Sequence, residues 1–188
     1  MNTAQNTASV ALSAAAVLSN NGTLVLLSGT MPATPETALS GNTTLATATY
    51  AATAFGAPSF SSGNMQATAS FTGNVNPVAN GSTTFARHYK ADGTTVIADY
   101  TVGSVWIASN VTAVGQFCTN GGNTYQCIAA GTTAASGGPT GTGSSIVDGS
   151  VTWKYIAAGQ QFDILMGNCN VQVGTAVSFS QILEMAAV

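Results

Sequence analysis

Charge is what this chain has least of. Lys, Arg, Asp and Glu make up 5% of its 188 residues, against roughly a quarter in ordinary soluble domains. Three basic residues and a formal net charge of −3 leave no cationic footprint for nucleic acid or an anionic lipid surface, so neither is an expected partner. No apolar run approaches the length of a membrane-crossing helix. Histidine occurs once, as His88, in mid-strand beside Thr84 and Ala86, and no Gly-x-Ser-x-Gly turn supplies a nucleophile for it, so it reads as a structural or exposed strand residue. Glycoside hydrolysis needs two facing carboxyl groups, and the dispersed Asp92, Asp99, Asp148 and Asp163 do not assemble into such a pair. The glycine-rich tract Ser136–Gly143 lacks the Lys-Ser/Thr ending of a phosphate loop and reads as flexible loop. No cofactor, no metal and no enzymatic activity are expected.

Cysteine is scarce and odd in number: Cys118, Cys127 and Cys169 cannot form a closed disulfide framework. Cys118 and Cys127 flank a turn at Gly122-Asn123 that would set their sulfurs opposite one another. A Cys118–Cys127 disulfide then depends on the redox history of the chain, and synthesis in a cytoplasm is the simplest reading.

What is present is a period-two grammar written in Thr, Ser, Ala and Val, with 45% of residues apolar. Thr83 to Tyr100 is its clearest stretch. Phe85, Arg87 and Tyr89 share one face and Thr84, Ala86 and His88 the other, and Lys90-Ala91-Asp92-Gly93 joins them to a second alternating run. This hairpin carries most charges of the first hundred residues, which makes it either a solvated edge or a contact surface. Thr23 to Ser28 reads as a central strand. Met31–Pro35 reads as a loop, because its prolines cannot continue a ladder. Thr43 to Ala51 resumes as strand, Phe55 and Phe60 plug one end of the core, and Met65, Ala67, Ala69 and Phe71 alternate with polar residues. Met1–Leu18 has apolar residues at helical spacing and no basic n-region, so a short amphipathic helix is expected there rather than a secretion signal.

From Gly103 the character changes. Both tryptophans and two of the cysteines fall between there and Gly159, and after Gln160 the earlier alternation returns at Phe162, Ile164 and Met166 and again at Val177 and Phe179. The expectation is a discontinuous β-sandwich, jelly-roll-like, from residues 1–102 plus 160–188, with a small β module inserted over residues 103–159. In the module, Trp106, Tyr125, Trp153 and Tyr155 stand beside short polar side chains. They are either a platform for stacking on sugar rings or the core of a unit too small to have another.

Gly122-Asn-Thr-Tyr-Gln-Cys127 and Asp148-Gly-Ser-Val-Thr-Trp-Lys-Tyr155 resemble the small β modules related to chitin-binding domains that recur in bacteriophage tail fibres. The outer domain resembles a family of small virion proteins of tailed bacteriophages, through Leu27-Ser-Gly-Thr-Met-Pro-Ala-Thr-Pro35, Thr44–Thr47, Ala54–Ala57, the Asp92-Gly93 hairpin and Val173–Phe179. The family's usual form runs straight from that hairpin into the closing strands, so the module is a departure from it. These resemblances imply a structural part of a particle: a capsid decoration or cement protein on the virion surface, partnered by the major capsid protein and by itself as a homotrimer. An outward-facing module would contact a host surface glycan through Trp106, Tyr125, Trp153 and Tyr155. The alternative they imply is a sugar-recognising receptor-binding protein of the tail fibre or tail tip.

Overall fold

A computed structural model describes residues 17–61 and 64–187. The helix expected over Met1–Leu18 lies outside them except for its end, residues 17–19, which are helical, and the side chain of Phe60 is likewise outside. Half of the chain is strand, and the described residues form an all-β sandwich with one short helical segment among them.

Threonine- and alanine-rich alternation builds the first strands, β1 (Thr23–Ser28), β2 (Thr43–Phe55), β3 (Ser59–Ser61) and β4 (Asn64–Thr72). After a turn-rich crossing come β5 (Gly81–Ser82), β6 (Phe85–Tyr89) and β7 (Val96–Val105). The tryptophan-bearing segment adds β8 (Val111–Thr112), β9 (Phe117–Asn120), β10 (Asn123–Ala129), β11 (Gly131–Thr132), β12 (Ile146–Asp148) and β13 (Val151–Ala158), and the chain closes with β14 (Ile164–Met166), β15 (Asn170–Val171) and β16 (Phe179–Ala187). β16 pairs antiparallel with both β4 and β14, so the end of the chain is a partner of its first hundred residues.

The main sheet runs β12-β13-β10-β9-β7-β14-β16-β4-β2-β1-β6, and β6 also pairs with β7. That last pairing closes seven strands into a ring around the principal core. Leu24, Leu26, Leu45, Tyr50 and Phe55 from the front of the chain meet Val102, Ile164 and Met166 there. β9, β10, β13 and β12 extend outward from the ring and carry a second, smaller core of Cys118, Tyr125, Cys127, Val151 and Trp153. Two pairings are parallel, β7 with β14 and β7 with β9. Parallel neighbours cannot be joined by a tight turn and need a long crossover, and here residues 106–163 are that crossover. The segment that reads as an insertion therefore also supplies the connection between two adjacent strands of the ring.

The charged hairpin is not a solvated edge, because β6 is paired on both sides, with β1 and with β7. Arg87 is 2% exposed. Its Nε and one terminal nitrogen each donate to a different carboxylate oxygen of Asp99 across the β6–β7 ladder, both at 2.7 Å, and the other terminal nitrogen donates to the Thr37 carbonyl at 2.9 Å. A fork-on-fork pair of this kind compensates both charges and satisfies the guanidinium at once, and removing one partner of such a pair typically costs about 3–5 kcal/mol. It also ties the proline-bearing loop after β1 to the ring. At the far end Asp92 accepts from the amides of Thr94 and Thr95 and from their hydroxyls, which shapes the turn; those bonds hold its carboxyl well below the usual range.

His88 points the other way, into the core, 1% exposed. Its ring lies 4.5 Å from that of Tyr50, Nδ1 is 3.4 Å from the Tyr100 hydroxyl, and Nε2 has no partner among the described residues. Burial alone pulls its pKa from 6.5 down to about 4. The unfolded chain takes up a proton near pH 6.5 that the folded chain refuses until about 4, so stability is constant above that window and falls as pH drops through it. Thermal melts should show a lower midpoint at pH 5 than at pH 7.5, and His88→Gln should flatten that difference whatever it does to the absolute midpoint. A His88→Gln protein that keeps the full wild-type pH dependence would assign the loss to other groups.

Candidate functional site

The module's sheet places Tyr125, Trp153 and Tyr155 on one face, with Trp106 arriving from the end of β7, and the four rings do converge. They do not form an open platform. Tyr125 and Trp153 are 0% and 1% exposed, and only Trp106 and Tyr155 remain half-buried. A stacking role for Tyr125 and Trp153 is therefore corrected to a core role, for a physical reason that lies in the glycine-rich tract. Instead of hanging as a flexible loop, residues 136–143 are strapped over this face. Asn120 donates from Nδ2 to the carbonyls of Gly137 and Pro139, at 3.0 and 3.1 Å. The Tyr125 hydroxyl donates to the Gly141 carbonyl at 3.2 Å, and the Tyr155 amide to Gly143 at 3.0 Å. Tyr155 meets Tyr125 edge-on, with ring centroids 6.0 Å apart.

Beneath the strap lies the residue that organises the module, Asp148, which is 4% exposed. One carboxyl oxygen accepts from both indoles, Trp106 Nε1 at 2.7 Å and Trp153 Nε1 at 3.0 Å, while the other accepts from the Ala134 amide at 3.0 Å. The next residue makes the geometry available. Gly149 has φ of 64°, and a Cβ there would stand 2.4 Å from the Thr132 carbonyl oxygen, so the Asp-Gly turn between β12 and β13 closes only on glycine. From the sequence Asp148 is an unpaired acid and the first residue of the Asp-Gly-Ser-Val-Thr-Trp motif, with no role of its own. The signal that finds it is an Asp-Gly turn followed at short range by tryptophan, since a buried indole N–H needs an acceptor.

The three cysteines are buried and no bond joins any two of them. The hairpin turns at Gly121-Gly122 rather than Gly122-Asn123, so Cys118 sits opposite Tyr125, and the Cys127 amide bonds to the Gln116 carbonyl one step beyond the paired register. A Cys118–Cys127 disulfide is thus corrected to two unbonded buried thiols that lie in one core but not opposite each other in the register. Burial pushes Cys127 up to about 11 and Cys169 up to about 12, and raises Cys118 further with help from the negative charge of Asp148. Thiols held so far from ionisation are poor nucleophiles and poor metal ligands at neutral pH.

Where the module meets the ring, at residues from which the sequence predicts no site, lies a cleft of about 430 Å³. Asn110 contributes from the module and residues 167–178 from the closing segment, among them Asn168, Asn170, Gln172, Thr175 and Ser178. Asn110 Oδ1 accepts from the side-chain amides of Asn168 and Asn170, at 3.2 and 3.3 Å. Asn170 also donates to the Val111 carbonyl at 2.7 Å and accepts from the Ser82 hydroxyl. Nearby, buried Gln116 donates to the Thr83 carbonyl at 2.8 Å while its own oxygen accepts from the Ala113 amide at 2.8 Å. The seam between module and ring is therefore an amide network without an ion.

Compared with protein-family models, with curated proteins and with solved structures, the chain gives no match.

Asp148→Asn replaces one of two accepting oxygens with a donor, so at least one of the three N–H groups aimed at it loses its partner. We expect a loss of about 1–3 kcal/mol of stability and a red shift of tryptophan emission in the folded state. Unchanged emission and an unchanged denaturation midpoint would contradict the role given to this carboxyl.

Proposed function

We propose that the chain is a non-enzymatic structural protein of a tailed-bacteriophage particle, a decoration or cement protein that lies on the capsid surface and bridges neighbouring capsid subunits as a homotrimer. The observation that carries this reading is the character of the surface. Of nine ionic side chains in the sequence, Arg87, Asp99 and Asp148 are consumed inside the protein. Among the described residues the exterior carries only scattered ions, Glu36, Asp92, Lys154 and Asp163, among threonine, serine, asparagine and glycine and exposed aliphatic residues such as Met31, Val78, Val105, Val111, Val114 and Val173. Desolvating hydroxyls, amides and aliphatic groups at an interface costs far less than desolvating ions. Such a surface suits a protein packed repeatedly against neighbours, where individually weak contacts add up because each attachment makes the next intramolecular. The resemblance of the outer strands to small virion proteins points the same way.

The firm attachment of the module adds to this reading. A unit joined through the parallel β7–β9 pairing and an amide network projects in one fixed direction from whatever the ring sits on. The tail-tip alternative drew on four aromatic rings as a sugar platform, and with two of them buried we do not extend it through those residues.

Cryo-microscopy of particles with the protein present and with its gene deleted tests the proposal. Present, it should appear as repeated density outside the capsid at the contacts between capsid subunits, and deletion should lower the temperature at which heads release their contents. Density confined to the tail, or absent from the particle, would overturn the reading.

A further inference from the structure

We propose that the cleft between the module and the closing segment binds an uncharged saccharide unit. The inference is independent of where the protein sits on a particle.

Its first support is the chemistry of the lining. Among the described residues no Lys, Arg, His, Asp or Glu contributes to it and no thiol does, so the lining carries no full charge to set against an anion, a cation or a metal ion. What lines it is a mixture of neutral donors and acceptors over a small apolar floor of Val171 and Val177. A ligand matched to that mixture carries hydroxyl or acetamido groups and no net charge. The volume of about 430 Å³ lies within the range of small-ligand sites.

The second support is which of these groups are already engaged. The Asn168–Asn110–Asn170 triad consumes the oxygen of Asn110 with two donors, which fixes the orientation of its amide and leaves Nδ2 with no partner among the described residues. The Gln172 amide and the Thr175 and Ser178 hydroxyls likewise make no side-chain hydrogen bond among the described residues. The cleft therefore holds one preset donor, Asn110 Nδ2, and a ring of uncommitted hydrogen-bonding groups on Gln172, Thr175 and Ser178 that are free to pair with a ligand at the cost of ordering them.

The backbone, by contrast, offers little. The amides of Gly167, Val173, Thr175 and Val177 donate to the Ser178 carbonyl, Asn80 Oδ1, the Gln172 carbonyl and the Val75 carbonyl respectively. An extended peptide that bound by strand addition would need those groups, so the arrangement favours a ligand recognised by side chains. No aromatic ring lines the cleft among the described residues. Stacking contributes nothing, and the expected affinity is in the millimolar range.

The test is a titration of the full chain, followed by amide and side-chain NMR shifts, with di-N-acetylchitobiose, maltotriose and a blocked uncharged tetrapeptide as separate probes. At least one sugar should give saturable shifts centred on Asn110, Gln172, Thr175 and Ser178. Gln172→Ala combined with Thr175→Val alters two exposed side chains that hold nothing else, so it should leave the melting temperature unchanged and weaken sugar binding by about tenfold or more. The proposal is overturned by the absence of saturable shifts with either sugar up to about 10 mM. It is equally overturned by shifts that map to Trp106 and Tyr155 instead, or by saturation with the tetrapeptide alone.

Discussion

One strand changes partners halfway along its length, and the architecture follows from that change. Over Val96–Thr101, β7 is the second arm of a hairpin with β6; over its last residues it takes β14 on one side and β9 on the other. The exchange happens at Gly103, where a Cβ would stand 2.8 Å from the Phe117 carbonyl oxygen and from the Phe162 ring, closer than real contacts allow. Asp163 stitches the crossing point by accepting from both the amide and the hydroxyl of Thr101, at 2.8 and 2.7 Å. Thr124 stitches the return, donating to the Gly159 carbonyl and accepting from the Gln161 amide. The ring and the module are thereby two cores on one hydrogen-bonded sheet.

The second constraint is economy of charge. A chain with so few ions places three of its carboxyl and guanidinium groups where burial makes them most consequential. Arg87 and Asp99 join the hairpin to the loop after β1, and Asp148 joins two indoles to the turn that closes the module. Each is matched by enough donors or acceptors that no uncompensated group is left, the condition under which buried polar networks specify a fold rather than weaken it. The result is a protein that holds three ions in its interior and, among the described residues, carries only a few scattered ones, Glu36, Asp92, Lys154 and Asp163, on its exterior, and that sparseness is the basis of the proposal that it works packed against neighbours.

Local pattern carried a good part of this in the sequence. β1, β4 and the β6–β7 hairpin were legible because their period-two alternation and the Asp92-Gly93 turn are local signals, and Gly93 does hold a positive φ. The return of alternation after Gln160 pointed to strands that pair with the front of the chain, as β16 does with β4. Parallel pairing was not legible, since nothing in Gly103–Val105 or Phe117–Thr119 encodes a partner so distant in sequence. Arg87 misled because a charge in an alternating strand ordinarily marks the wet face, and only its neighbour across the ladder, Asp99, reverses that reading. Tyr125 and Trp153 misled in the opposite sense: the tract that buries them is Gly, Ser, Thr and Pro, a composition that reads as loose loop until Asn120, Tyr125 and Tyr155 are seen to hold it. The cleft at the seam went unseen because asparagines at 110, 168 and 170 become neighbours only through the fold.

If β7 makes ring and module one body, they must unfold together. Both tryptophans, Trp106 and Trp153, belong to the module, so their emission reports that unit alone, whereas far-ultraviolet circular dichroism reports strands of both. Equilibrium unfolding in urea followed by the two signals should give a single coincident transition, with one midpoint and one slope. Tryptophan emission that changes at a clearly different urea concentration, with the remaining strands intact, would show that the module stands on its own and that the shared strand does not couple it to the ring.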